Sequence, residues 1–323
     1  MSIGTISAGA DTAPASPAPS GRNPRRGGAR RSGAAKGWLF NLPYILGFLG
    51  VYVAPVVYAV WQSMEKQMRS GLGFGAPRTV FAGFGNFTTV FEDGGFWSSI
   101  VRVILIAVVE IPVVLGLALI MALLLDVVGR RTAKYFRLGF LVPYMVPGVV
   151  ATLIWLYLYS PIASPFVSAA KHFGTTIDFF TSVTTYFSLG NVLVWEQIGF
   201  NMILISAALQ AVPRELFEAA RIDGAGEARI AWSVKVPAVR PVLVFTGMFS
   251  IIAMLQLFTE PIILRQLNPG AISTTFTPMQ SIYTSTFSDL NYDYAAAMSV
   301  VLALVTGVLA FVFYRFTTRR AAA

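Results

Sequence analysis

Residues 211–241 read AVPRELFEAARIDGAGEARIAWSVKVPAVRP, a polar and basic stretch set between two strongly apolar ones. Pro213 suits a helix start, where its missing N–H costs nothing. Leu216, Phe217 and Ala220 then fall on one face at helical spacing, with Ala219 beside them. Gly224 and Gly226 release the backbone for a sharp turn. A second helical stretch runs from Glu227 to Val236 and ends at Pro237. Two short amphipathic helices parted by glycines are predicted. Periodicity alone leaves open whether they grip a partner protein or lie on a lipid surface.

Outward from this stretch the chain is apolar. Of 323 residues, 55% are hydrophobic and 12% charged, against about a quarter charged in a typical soluble domain. Six apolar segments stand out, roughly Leu39–Trp61, Ile100–Leu125, Phe136–Tyr159, Asn191–Ala211, Pro241–Leu264 and Tyr294–Phe316. Each is as long as the ~20 residues a helix needs to cross the hydrocarbon. Backbone polar groups in lipid must pair internally, which predicts an all-α integral membrane protein of six transmembrane helices. Trp38, Trp61, Trp97, Tyr159, Tyr294 and Tyr314 sit at span ends, where amphipathic rings prefer to lie.

Residues 1–37, rich in Ala, Gly, Ser, Pro and Arg, have no apolar periodicity and read as a disordered basic tail. The basic residues before the first span could pass for a signal peptide, but the run lacks a clean small-residue cleavage site and is as long as a full span. Residues 38–323 form the membrane domain. Basic residues gather in that tail, at Arg130, Arg131, Lys134 and Arg137, through Arg214–Arg240, and at the far end from Arg315. The loops on the other side hold five, namely Lys66, Arg69, Arg78, Lys171 and Arg265. The positive-inside bias therefore places both termini, and the 211–241 stretch, in the cytoplasm. It also accounts for the net charge of +9 without nucleic acid.

Several chemistries are excluded. The chain has no cysteine and one histidine, His172, so thiol catalysis, disulfides and multi-imidazole metal sites are ruled out. His172 falls in an outer loop and reads as a solvated surface residue. No phosphate-loop motif is present for binding ATP, and no HExxH or catalytic constellation supports a hydrolase.

Within loop four, Glu218, Ala219 and Ala220 are followed after three residues by Gly224, and the segment closes on Val234-Lys235-Val236-Pro237. This spacing resembles the E-A-A…G…I-x-L-P motif of permease subunits of type I ATP-binding-cassette importers, with Val234 for Ile and Val236 for Leu. The resemblance covers roughly residues 38–320. FAGFGNFTTVFED, FLVPYMVPGVVATLIW, LQLFTEPIIL and the stretch from Tyr283 to Ala297 are similar to the carbohydrate-permease branch. That branch's Gly-Gly-Pro after span five is here Asn268-Pro269-Gly270.

The resemblance implies a cytoplasmic coupling helix. Ala219 and Ala220 would seat in a cleft of an ATPase subunit, with Leu216 and Phe217 as apolar contacts. Glu218 and Asp223 would cap helix starts or pair with basic groups of the partner, and Gly224 would be needed because a bulky residue stops the second helix folding back. It further implies a sugar or related solute, two ATPase copies carrying the ATP and Mg that this chain does not bind, a second permease of similar fold, and an extracellular solute-binding protein. The setting implied is the bacterial inner membrane.

Glu110, Glu196, Gln197, Asn201, Gln210, Gln256 and Glu260 interrupt the apolar segments. Polar groups at membrane depth face a cavity or a partner. Asn201 and Gln256, then Glu110 with an aromatic such as Phe249, Phe258 or Trp195, are the candidates for a solute path. Glu196 and Glu260 lie near span ends and read as reaching water. Glu110, next to Ile111-Pro112, reads alternatively as satisfying backbone freed by the proline. Prolines 43, 55, 112, 143, 147 and 261 read as ordinary membrane-helix prolines. The competing function is an ion-gradient-driven transporter or channel acting alone, which gives loop four no purpose.

Overall fold

The computed structural model describes residues 29–68, 78–181, 183–266 and 268–319. The expected tail lies outside them as far as residue 28, and the boundary drawn at 37 falls inside the first helix, α1 (Ala29–Phe48). The chain divides into two units, Met1–Val56 and Val57–Ala323. In the first, α1 leads into a π-helical turn at Leu49–Val53. Its apolar side chains are exposed, including Phe40 at 87% and Tyr44 at 74%.

Among the described residues five helices are long and apolar enough to cross a membrane: Trp38–Ser63, Gly94–Val127, Thr184–Gln210, Glu227–Leu255 and Tyr292–Thr318. The sixth crossing is a bent pair. Helices α5 (Arg130–Met145) and α6 (Gly148–Tyr159) meet at 93°. The expected straight span from Phe136 to Tyr159 is thus broken, and Pro147 explains it. A residue before proline is driven out of helical geometry, and Val146 is extended at φ −75°, ψ 128°. Pro147 continues extended at φ −55°, ψ 132° before Gly148 starts the next helix.

The remaining elements of the second unit are α2 (Ala54–Ser63, begun at the end of the first), strands β1 (Glu65–Met68) and β2 (Arg78–Phe81), and α3 (Gly85–Glu92). Then come α4 (Gly94–Val127), α7 (Pro165–His172) and α8 (Thr184–Gln210), with the short α9 (Arg214–Ile222) and α10 (Glu227–Ile230). Last are α11 (Val236–Leu255), α12 (Thr259–Leu264), α13 (Pro278–Phe287) and α14 (Tyr292–Arg319). The antiparallel pair β1–β2, with Glu65 opposite Phe81 and Met68 opposite Arg78, stands between α2 and α3. It departs from the all-α expectation only there.

The fifth crossing differs from expectation at both ends. It begins at Glu227, because α10 runs through a π-turn (Ala231–Lys235) straight into α11, and Pro237 does not end it. The wide turn accommodates the proline: Val236 N–H donates to the Ala231 carbonyl, five residues back. The same device precedes Pro55, where Ala54 N–H donates to Leu49. The crossing stops at Leu255, short of the expected Leu264. Pro261 clashes with a helical carbonyl four residues earlier, at Leu257, so the chain leaves the helix at Gln256 and restarts as α12.

Two apolar clusters hold the bundle together. One joins Phe96, Ile100, Leu189, Leu193, Leu255 and Met298. The other joins Ala118, Ala122, Leu125, Met202, Ile205, Leu209 and Val239. Lipid supplies no hydrophobic drive between helices, so close approach over small residues matters more. At Gly199 of α8 a Cβ would stand 1.7 Å from the Phe140 carbonyl oxygen of α5. Only glycine fits there.

Polar ends are tied as well. Asp93 caps α4, its Oδ1 accepting from Gly95 N–H at 2.8 Å and Phe96 N–H at 3.1 Å, while its Oδ2 accepts the Tyr294 hydroxyl of α14 at 2.7 Å. Arg102, in the first third of α4, donates to the Phe276 carbonyl at 2.8 Å and lies over that ring. Asn268 donates to the Phe180 carbonyl and accepts from Ala271 N–H, so the Asn268-Pro269-Gly270 turn is fastened to the loop between α7 and α8.

Candidate functional site

Helix α9 carries the predicted motif residues. Pro213 is its N-cap and Asp223 its C-cap. Beyond Asp223 the chain turns through Gly224 at φ +81°. Gly224 N–H donates to Arg221 and Ala225 N–H to Ala220, each at 3.0 Å. These two bonds form a Schellman motif with glycine in the left-handed position. A Cβ on Gly224 would meet nothing within 4 Å. The requirement for glycine is therefore the backbone freedom read from sequence, and not the steric obstruction that the resemblance implied.

The turn's charge pairing also differs from expectation. Neither Glu218 nor Asp223 caps a helix start: Gly226 begins α10, and α9 has no side-chain cap. Arg221 instead donates through Nε and Nη2 to Glu227 Oε1 at 2.9 and 2.8 Å across the turn.

The anchor of α9 is Lys235, in the closing segment of the motif. It is 3% exposed, and its Nζ lies 2.6 Å from Asp126 Oδ2 near the end of α4. The same ammonium stands 5.2 Å from the Phe217 ring centroid, a cation–π distance. Phe217 is thereby turned inward, while Leu216 at 52% exposure, Glu218 and Ala219 face outward and Ala220 is half-buried. A short helix with a small, partly apolar outer face is thus held to the bundle through Phe217, which packs under a lysine paired with α4. Sequence reasoning counted Lys235 only among the inside cations and passed over Asp126. Its one signal was its place inside the motif.

The polar residues of the spans fall into two groups. Asn201 is buried and donates back to the Gln197 carbonyl of its own helix at 2.9 Å. Glu110 is 7% exposed, and its Oε2 would lie 3.1 Å from a Cβ on Gly190, so it packs against α8 and does not bond backbone freed by Pro112. Gln256 is exposed at the end of α11, and Phe249 is exposed one heptad earlier, its ring 4.6 Å from that of Phe245.

Glu196 and Glu260, read from sequence as reaching water, instead converge on the elbow between α5 and α6. A Cβ on Gly148 would stand 3.2 Å from Glu260 Oε1 and 3.9 Å from Glu196 Oε1. Glu196 Oε1 is buried and has no hydrogen-bond partner among the described residues. Trp195 beside it packs edge-on against Trp155 of α6, with centroids 5.9 Å apart. No group of three or more ligating side chains able to hold a metal occurs among the described residues.

Comparison with known proteins places this geometry. Residues 84–322 match the family described as binding-protein-dependent transport system inner membrane component. The chain is 34% identical over 292 residues to the diacetylchitobiose uptake system permease protein NgcF of Streptomyces coelicolor, covering 84% of this chain and 81% of that protein. It is 30% identical to the lactose transport system permease protein LacF of Rhizobium radiobacter, over 88% of this chain and 95% of that one. In fold it is similar to a chain of a bacterial ABC transporter involved in the import of the acidic polysaccharide alginate. The TM-score there is 0.76 at 20% identity, over 90% of this chain and 99% of that chain. With the family match spanning most of its length and the motif helix pinned at the end of the spans, the chain belongs to the inner-membrane permease components of binding-protein-dependent transport systems.

Proposed function

We propose that this chain is the permease subunit of an ATP-driven importer for a sugar or related solute, with α9 as the coupling helix. One observation carries the reading: Phe217 of α9 packs under Lys235, itself paired with Asp126 of α4, while Leu216, Glu218 and Ala219 stay exposed. A fixed helix with a free small-residue face transmits a rigid-body movement, which is what coupling to a closing ATPase dimer requires. ATP and Mg belong on that partner. A second permease of similar fold and an extracellular solute-binding protein complete the assembly, and both termini lie in the cytoplasm with α9. The names of the similar permeases, which specify diacetylchitobiose and lactose, support a carbohydrate solute.

For the solute's path we propose Gln256 and Phe249 on one face of α11, with the Glu196–Glu260 pair at the elbow. Asn201 and Glu110 are turned into helix contacts, which favours a packing role for them.

The chain has no cysteine, so Ala219→Cys introduces a unique thiol. Cross-linking from it in inside-out vesicles is expected to capture an ATPase subunit. Labelling of that thiol only from the outside, or solute uptake that follows an ion gradient and ignores ATP, would reject the reading.

A further inference from the structure

The α9 end of the bundle encloses a cavity of about 340 Å³. Its walls are Asp126 in the last turn of α4, Val128 just after it, Arg137 of α5, Gln210 closing α8, and Arg214 and Phe217 of α9. That volume is on the order of ten water molecules, so a small ionic group fits with room for part of what carries it. The cavity's charges do not balance. Its carboxylate, Asp126, is already matched by Lys235 at 2.6 Å. Arg137 and Arg214 form no ion pair with a carboxylate among the described residues, and Arg137 Nε is buried with no hydrogen-bond partner. A buried guanidinium N–H with nothing to donate to marks a missing acceptor.

Position narrows the acceptor's chemistry. The cavity lies where α4 and α8 leave the apolar layer, and Leu124, Val127 and Val128 beside it are exposed at 63%, 63% and 41%. An anion there meets two guanidinium groups on one side and open hydrocarbon-facing side chains on the other. We propose that this cavity binds a phosphate-bearing anion, the headgroup of an acidic membrane phospholipid or free phosphate, between Arg137 and Arg214. Guanidinium forks match phosphate oxygens in pairs, and basic pockets between membrane helices are places where anionic headgroups bind. Such a ligand joins α5 to α9 directly. The inference goes beyond the importer reading and requires only that the chain lies in a membrane.

The test uses the full chain in detergent, with its copurifying subunits, titrated with phosphatidylglycerol, phosphatidylcholine or inorganic phosphate and read by native mass spectrometry. Phosphatidylglycerol is expected to bind in preference to phosphatidylcholine. Arg137→Gln with Arg214→Gln is expected to weaken that binding about thirtyfold, from ~1 kcal/mol for each basic side chain at the membrane surface. Arg221→Gln, which removes an arginine outside the cavity from the same loop, leaves it unchanged. Competition by millimolar phosphate would name free phosphate as the source and keep the site. Equal loss in Arg221→Gln, no difference between the two lipids with no phosphate bound, or displacement of the lipid when ATPase subunit is added would each overturn the proposal.

Discussion

Lys235 on the π-turn at the head of the fifth crossing and Asp126 near the foot of the second lie 2.6 Å apart, with the lysine almost wholly buried. One ion pair therefore joins the α9 loop to a helix more than a hundred residues earlier in the chain. Lys235→Met leaves the partly exposed Asp126 carboxylate without its partner, which costs on the order of 1–3 kcal/mol. A clear fall in the detergent melting temperature is expected. Lys235→Met combined with Asp126→Asn removes both charges and is expected to recover much of that loss. A double mutant no more stable than Lys235→Met would show that the pair is not coupled.

Gly199 and the Phe140 carbonyl oxygen make the tightest approach noted between two spans. Gly199→Ala cannot be absorbed by a flexible side chain, because the obstructing atom is backbone. We expect a loss of several kcal/mol, at the upper end of the range for point changes, seen as failure to recover monodisperse protein. Gly116→Ala serves as the control, since a Cβ there meets nothing within 4 Å.

Gly224→Ala forces a side chain into φ +81° and is expected to cost about 1 kcal/mol, with Gly224→Asn costing less. Gly226→Ala, at φ −68° with open space around it, is expected to be nearly silent. ATP-driven uptake in membrane vesicles measures the series. Equal damage at both glycines would remove the conformational argument.

Ala219→Arg places a long cation on the outward face of α9, where nothing in this chain is displaced. Membrane insertion and melting temperature are expected to match the parent while ATP-driven uptake is lost. Undiminished uptake would mean that this face contacts no partner.

Tyr294→Phe removes one hydrogen bond to a carboxylate across the tops of α4 and α14, worth about 1.5 kcal/mol. Asp93→Ala removes that bond and the α4 cap together, adding about 1 kcal/mol. Thermal melts of the two variants should rank in that order.

The spans and α9 were legible from sequence because each depends on a local property, either hydropathy summed over a crossing or residue types at fixed spacing. What escaped depends on partners far along the chain. Lys235 looks like any inside cation until Asp126 is placed beside it, and Gly199 looks like any span glycine until Phe140 backs onto it. The elbow is an intermediate case. Pro147 was visible, but a membrane proline bends a helix slightly or breaks it according to what surrounds it. Here the break brings Glu196 and Glu260, both half-buried, to Gly148, so two carboxylates assigned to water came to share one junction.

The uninterrupted run from Glu227 to Leu255 is a mechanical fact as well as a topological one. Beyond the π-turn, α11 carries the chain from Lys235 to Gln256 as one helix, about 30 Å at ~1.5 Å per residue. A tilt of ~5° at Lys235 swings the far tip by about 3 Å. Small adjustments at the membrane's edge thus arrive, magnified and without delay for local melting, beside the polar side chain at Gln256.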